Sequence, residues 1–489
     1  MVRLLKNIVL TLSIVLPLST MAQGTTQWRD IHKVKRHETI FGIARSYDIT
    51  IDDLLDANPE MRQKGYELKK GMQIFIPYSK TASNSKMASN SMASTSENSK
   101  TATTYTKPQT KKDKYSVNKT VSSQSALKEH KIVRVGVMLP FLDHSSEGTR
   151  MVEYYRGVRA ALDTLGKEGI KTEVNLWNIN KDSVVSNVLA HNPSIANQDI
   201  IFGPLYTSQV HPLAEFCRQH NVRLVMPFSI AADDALTNPN VFQIYQNESK
   251  LSGSSIGAFI ERFGRTYRPI FIDCESPADG KIVFTRALRE TLLSRGVNIE
   301  LTNLNTPLRD FAKHFSKTQP NVIVLNSAAY KPLERVFSKL DSLKNIEPSL
   351  DISTFGYNEW FIYQPNLEKE YFKYNVHIPT TYYFSRTSDR IENFERDYKH
   401  RYGQPMNPDC LPRMALLGYD ETLFFVRGIS LYGKTFTGSD KQDVGFKPLQ
   451  SRLEFKRLGN GGYQNSNFQL IRFKPDGTLD SLTYSILLS

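Results

Sequence analysis

The chain of 489 residues predicts an α/β protein in three parts: a small βααβ module, a disordered linker, and a larger two-lobed body built on parallel sheets. Three observations carry this. Residues 32–77 hold two helical patterns between two alternating runs. Residues 79–128 give up nearly all apolar side chains to Ser, Thr, Lys, Asn and Ala. Beyond residue 131, short apolar runs alternate with amphipathic helical patterns, as expected for parallel strands covered on both faces.

In the first part, residues 32–35 alternate as a strand. Ile40, Ile43, Ala44 and Tyr47 follow at helical spacing, with Thr39 placed to cap the first free N–H groups. Thr50 and Asp53 make a second helix start, turning Ile51, Leu54 and Leu55 inward. Pro59 disfavours helical geometry in the residue before it, so this helix ends near Asn58. Gly71 makes a turn, and residues 73–76 form a closing strand beside the first.

These residues resemble a LysM module over 32–77. Val34, Glu38-Thr39-Ile40, Ile43-Ala44, Leu54 with Asn58, Leu68 with Gly71, and Ile76-Pro77 stand at the places of that family's pattern. His37 departs from it, where the family has glycine, as does a longer stretch at 61–67. A positive φ at that turn is slightly strained for a non-glycine residue, although His is among the tolerant types. The resemblance implies peptidoglycan binding, through N-acetylglucosamine-containing glycans held between two loops. One loop is His37, Glu38, Thr39 and Ile40; the other is Asn58, Pro59, Glu60 and Met61. Backbone amides would meet the N-acetyl groups, and Ile40, Pro59 and Met61 would form apolar ridges. Glu38, Thr39 and Asn58 are read first as structural residues.

Residues 1–22 read as a signal peptide. Arg3 and Lys6 precede an apolar stretch too short for an ordinary membrane span, and Thr20-Met21-Ala22 offers a cleavage site. No cysteine stands near that site for lipid attachment, so a bacterial periplasm or cell envelope is expected, with no transmembrane segment after cleavage. The linker at 79–128 has too little apolar surface to fold; fifty flexible residues span on the order of 40 Å. It also holds most of the charge. It is net +7 of a whole-chain +13, whereas residues 28–78 are +1 and residues 129–489 about +3. The folded parts are therefore nearly balanced, which argues against nucleic acid as a partner. Cys217, Cys274 and Cys410 are read as buried free thiols.

The body at 129–489 is expected to have strands at 132–140, 172–177, 199–202, 223–227, 269–273, 297–301, 322–326 and 352–357. Helices are expected at 150–165, 208–220, 248–267, 281–295, 332–343, 389–402 and 413–431. Residues 449–482 alternate around a Gly459–Gly462 turn, as in a terminal antiparallel ribbon. Two successive sheets imply two lobes, about 132–246 with 378–445, and 250–375 with 446–489. The segments 135–140, 202–204 with Thr207-Ser208, 227–229, 241–243 and 418–420 resemble type I periplasmic binding proteins of the leucine-type receptor branch. That resemblance implies an interlobe site for an amino-acid-like solute or muropeptide. Its carboxylate would meet Thr207, Ser208 and Ser229, Tyr206 would stack or pack, and Tyr357 and Glu359 would face it from the other lobe. Helix capping and plain loop exposure are the competing roles.

Gly253-Ser254-Ser255-Ile256-Gly257 fits Gly-x-Ser-x-Gly, but a nucleophile elbow needs a strand entering that turn, and this stretch reads as helical. Neither a metal motif nor a phosphate loop is found. Asp273, Glu275 and Asp279 read as loop acids. The expectation is a non-enzymatic, cofactor-free and metal-free envelope protein. It either binds a solute or wall fragment, or acts as a scaffold for an envelope partner such as a wall synthase; a Ser255 hydrolase is the third alternative.

Overall fold

The computed structural model describes residues 28–63, 66–78, 132–143, 145–229, 233–275 and 281–485. It divides into two compact units, Met1–Ala93 and Ser94–Ser489. The expected signal peptide and linker lie outside the described residues.

In the first unit, β1 (Trp28–Lys33) and β2 (Gln73–Pro77) pair antiparallel, Ile31 opposite Phe75. Between them lie α1 (Ile40–Ser46), α2 (Ile51–Ala57) and a 3₁₀ turn, Pro59–Arg62. Both helix starts form as local chemistry dictates. Thr39 Oγ1 accepts from the Gly42 amide at 3.1 Å, and Thr50 and Asp53 form a reciprocal capping box. β1 starts four residues before the expected strand, because Trp28 stacks on Phe75 at 3.9 Å and pairing continues to Pro77. Ile43, Leu54, Ile74 and Ile76 make the core. Ile51 does not join them: as the first residue of α2 it stands 40% exposed.

In the second unit, β3 (Val133–Leu139), β4 (Thr172–Asn178), β5 (Ile200–Phe202), β6 (Arg223–Met226) and β7 (Val241–Gln243) run parallel in the order β4-β3-β5-β6-β7. A second parallel set repeats this arrangement. It comprises β8 (Arg268–Asp273), β9 (Glu300–Asn303), β10 (Asn321–Leu325), β11 (Ile352–Phe355) and β12 (Val376–Thr380), in the order β9-β8-β10-β11-β12. Both are doubly wound, with the winding reversing beside the first strand of each set. Alternate residues feed opposite cores: Ile270, Ile272, Ile323 and Leu325 lie in one, Phe271, Val322 and Val324 in the other. This explains the near-continuous apolar runs.

The C-terminal strands correct the expected ribbon. β13 (Phe455–Arg457) and β14 (Tyr463–Asn465) form a hairpin across the expected turn, and β14 then runs parallel to β7. β15 (Asn467–Phe473) pairs antiparallel with β12, and β16 (Leu479–Ser485) with β15. The segment therefore divides between the sheets at Ser466. Residues 455–465 join the first sheet rather than the second, and 378–380, in β12, the second rather than the first. The chain passes between sheets three times, after β7, after β12 and at Ser466. Gln246 Nε2 donates to the Asn465 carbonyl at 2.7 Å, tying the first passage to the third.

Beside the first sheet, α3 (Ser146–Lys167) crosses α4 (Met414–Tyr432) closely. A Cβ on Gly157 would sit 1.9 Å from the Ala415 carbonyl oxygen, and one on Gly418 2.2 Å from that of Tyr154. The Gly418-Tyr419-Asp420 segment is thus a packing device. Buried Asp420 accepts from the Leu449, Gln450 and Ser451 amides at 2.7 Å each, fixing the strand-free chain ahead of β13. All three cysteines are buried.

Candidate functional site

Two sites follow from the two units. In the small unit, His37 has φ 65°, the left-handed turn expected where the pattern prefers glycine. That turn points Glu38 back at its own strand. Its Oε2 accepts from the Lys35 amide at 2.6 Å and meets His32 Nε2 at 2.7 Å. His32 Nδ1 lies 3.1 Å from the Tyr47 hydroxyl. Partial burial opposes ionisation of Glu38, but the Lys35 amide and His32 outweigh it and hold the carboxyl below its ordinary range.

Asn58 is 1% exposed. Its Nδ2 donates to the Leu54 and Phe75 carbonyls at 2.8 Å each, and its Oδ1 accepts from the Phe75 amide at 2.7 Å. The side chain pins the end of α2 to the closing strand and has nothing left for a ligand. Met61, expected as an apolar ridge, is buried in the core instead, because the 3₁₀ turn swings it inward. The exposed side chains of the two loops are His37, Thr39, Pro59 and Glu60, with Ile40 half-buried. Phe41, 61% exposed beside Ile40, was not anticipated. An aromatic on the outer face of a helix, directly after the capped turn, was the signal for it.

In the body, ligands of doubly wound sheets lie beyond the carboxyl ends of the strands. On the first sheet, Gly203 follows β5. A Cβ there would meet the Met138 carbonyl at 2.2 Å, and φ is 131°; only glycine lets the ends of β3 and β5 approach so closely. Thr207 and Ser229 are brought together, their hydroxyls 3.2 Å apart, with Ser229 buried. The Tyr206 hydroxyl donates to Glu147 at 2.9 Å; partial burial and then that carboxylate push it up to about 12. Ser208 is exposed.

On the second sheet, Tyr357 is buried, and its hydroxyl donates to the Leu325 carbonyl. Lys281 Nζ lies 4.9 Å from the centre of that ring and 2.8 Å from the Glu359 carboxylate. Lysine therefore occupies the place foreseen for a ligand ammonium. Among the described residues, neither a hydrogen bond nor an ion pair joins Tyr206, Thr207, Ser208 or Ser229 to Tyr357 or Glu359.

A cleft of about 790 Å³ opens at the carboxyl end of the second sheet. Asp273, Glu275, Arg289, Leu301, Asn303 and Asn326 are among its walls. Asp273 ends β8 and accepts from Asn326 Nδ2 at 2.8 Å; Asn326 Oδ1 in turn accepts from the Cys274 amide at 2.8 Å. Glu275 accepts from Asn305 Nδ2 at 2.6 Å. Sequence reasoning took Asp273 and Glu275 for loop acids; their position directly after an apolar strand was the available signal. Asp279 lies outside the described residues.

Ser255 sits inside a helix, Glu248–Phe263, and its hydroxyl donates to the Leu251 carbonyl at 2.8 Å. The strand-entered elbow that a nucleophile needs does not exist there, so the hydrolase alternative loses its site. No cluster of three or more metal-binding side chains occurs among the described residues. Nor does any described helix have the length and apolar character to cross a membrane.

The geometry defines a small βααβ unit and a two-sheet, doubly wound α/β body. Residues 32–77 match the family model of the LysM domain. A search of curated proteins found no match. Among solved structures, the body is similar in fold to type I periplasmic binding proteins. A putative branched-chain amino-acid ABC transporter protein from Rhodospirillum rubrum shares 13% identity at TM-score 0.48, over 72% of this chain and 100% of that one. A branched-chain amino acid ABC transporter periplasmic ligand-binding protein from Burkholderia xenovorans shares 13% at 0.43, over 72% and 96%. An ABC transporter substrate-binding protein from Desulfitobacterium hafniense, in complex with Leu, shares 14% at 0.38, over 72% and 100%.

Proposed function

We propose that this is an exported cell-envelope protein that binds peptidoglycan through its LysM domain and carries a non-catalytic, receptor-like body. The body takes an amino-acid-like solute or a wall fragment. The observation that carries the first half is the family match over residues 32–77, joined to a βααβ unit whose two loops leave His37, Thr39, Pro59 and Glu60 exposed. The second half is supported by two doubly wound sheets linked by three passages, an arrangement in which lobes can close on a ligand.

Pelleting with purified peptidoglycan tests the first half. The full chain is expected in the pellet and a chain lacking 32–77 in the supernatant; equal pelleting of both overturns it. For the second half, the melting temperature of the full chain is followed with free amino acids and with muropeptides. A ligand that binds only the folded state raises it.

A second reading, a scaffold for an envelope partner protein, is favoured by one observation. Polar groups expected to meet a solute already have partners within the chain: Glu359 has Lys281, Tyr357 the Leu325 carbonyl, and Thr207 and Ser229 each other. No melting shift with any small molecule, together with recovery of a wall synthase in a pull-down from envelope extract, supports it.

A further inference from the structure

The 790 Å³ cleft at the second sheet carries opposite charges that do not meet each other. Arg289 lies half-buried against the Phe271 ring, its guanidinium carbon 5.9 Å from the centroid. It forms neither an ion pair nor a hydrogen bond among the described residues. Asp273 and Glu275 accept hydrogen bonds from neutral neighbours, and neither has a cationic partner among the described residues. All three line one cleft. Had the guanidinium been within reach of either carboxylate, the pair would have formed. The cleft instead holds positive and negative groups apart.

Part of the cleft wall is apolar. Leu301 is paired with Phe271 across β8 and β9 and is 53% exposed, and Ile282 is 37% exposed. Edge strand β9 leaves this surface open. Asp273 ends β8 and Asn326 directly follows β10, the two strands on either side of the point where the sheet's winding reverses. That is where doubly wound sheets place ligands.

We infer that this cleft binds a short zwitterionic peptide, its ammonium on Asp273 and Glu275, its carboxylate on Arg289 and an apolar side chain against Leu301. The inference rests on the receptor reading of the body and names its ligand class and location. A guanidinium suits a carboxylate because its paired N–H groups match the two oxygens. A cube of 790 Å³ has an edge of roughly 9 Å, the reach of about three extended residues. One extended residue reaches only about 3.6 Å. The volume also falls within the usual range for small-ligand sites, about 300–1,000 Å³.

The test is calorimetric titration of the full chain with the tripeptide Ala-Leu-Ala, its N-acetyl form, its C-terminal amide, and leucine. The free tripeptide is expected to bind at least about tenfold tighter than either capped form or leucine, a factor equal to about 1.4 kcal/mol. Arg289→Gln should remove the preference for a free carboxylate and Arg289→Lys restore part of it. Asp273→Asn combined with Glu275→Gln should remove the preference for a free ammonium. Equal binding of all four compounds, or tripeptide binding unchanged by these substitutions, overturns the inference. A melting shift caused by leucine or a muropeptide and untouched by the same substitutions leaves the receptor reading standing and refutes this cleft. If no compound binds or shifts melting, both fall.

Discussion

Asn58 and His377 show what single buried polar groups contribute. Asn58→Ala strips partners from two carbonyls and one amide inside the small unit. A buried polar group left unsatisfied costs about 1–3 kcal/mol, and the three are not additive, so a loss of about 2–4 kcal/mol is expected. Amide exchange across residues 28–78 should quicken accordingly, while unchanged protection would show that Asn58 is dispensable. His377, in β12, is wholly buried, its Nδ1 2.7 Å from the Asn375 carbonyl. Burial, and then Arg262, lower its pKa from 6.5 to about 3. The unfolded chain thus takes up a proton near pH 6.5 that the folded protein refuses until about 3. The stability held by neutral His377 is complete above pH 6.5 and drains as pH falls, by up to about 1.4 kcal/mol per unit. Asp420 acts oppositely: burial raises it from 3.8 to about 7 despite its three amide donors. Its contribution is full below pH 3.8 and lost as pH rises through 7. In urea unfolding from pH 8 to 4, the stability advantage of the native chain over His377→Asn should shrink below pH 6.5; a constant difference would refute this. The caps at Thr39 and Thr50 were legible because a cap is settled within four residues. The burial of Met61 was not, since the core it joins takes Ile74 and Ile76 from β2, distant in sequence.

Elements were legible where their pattern is continuous. The strands of the two parallel sets stand out as apolar runs because both faces are covered. The expected strand at 297–301 forms later, at Glu300–Asn303, since its true partner is the end of β8. A helix at Trp360–Lys373 escaped notice because Pro365 and the non-helical Leu367 break its period. β12, which follows it, has His377, Pro379 and Thr380 facing a wholly buried environment, so its sequence lacks the usual apolar signature. The α3–α4 crossing was visible only as Gly157 and Gly418, two glycines in helical patterns whose reason is spatial. Adding one methyl group at either place drives it into a backbone oxygen of the facing helix, and backbone cannot step aside as a side-chain tip can. Gly157→Ala and Gly418→Ala should each destabilise the body by about 1–3 kcal/mol or more. Equilibrium unfolding of the full chain measures this. Gly253→Ala serves as control, because no atom lies within 4 Å of the Cβ it would add. Equal stability of all three variants would mean that the helices can separate at little cost.

Over the whole molecule, the C-terminal segment belongs to neither lobe alone. β14 extends the first sheet beyond β7, with Tyr463 stacked on Phe242 at 4.7 Å, and Phe455 packs against Phe242 and Phe425. One residue later the chain is in the second sheet, where Phe468, Leu470, Ile471 and Phe473 are buried on β15. A chain ending at Glu454 loses both contributions together. Each large apolar side chain returned to water costs about 1.5–3 kcal/mol, and several at once exceed the net stability of a typical domain, about 5–15 kcal/mol. Both sheets are therefore expected to lose amide protection, at Val133–Leu139 in the first and Asn321–Leu325 in the second, although neither strand is touched by the truncation. Removal of residues 28–78 should change protection at neither, because the small unit has its own core. The two deletions thus separate two kinds of boundary. Loss of protection confined to the second sheet after truncation at 454 would show that the lobes fold independently. Loss at both shows one folding body whose halves are fastened by the three passages between them.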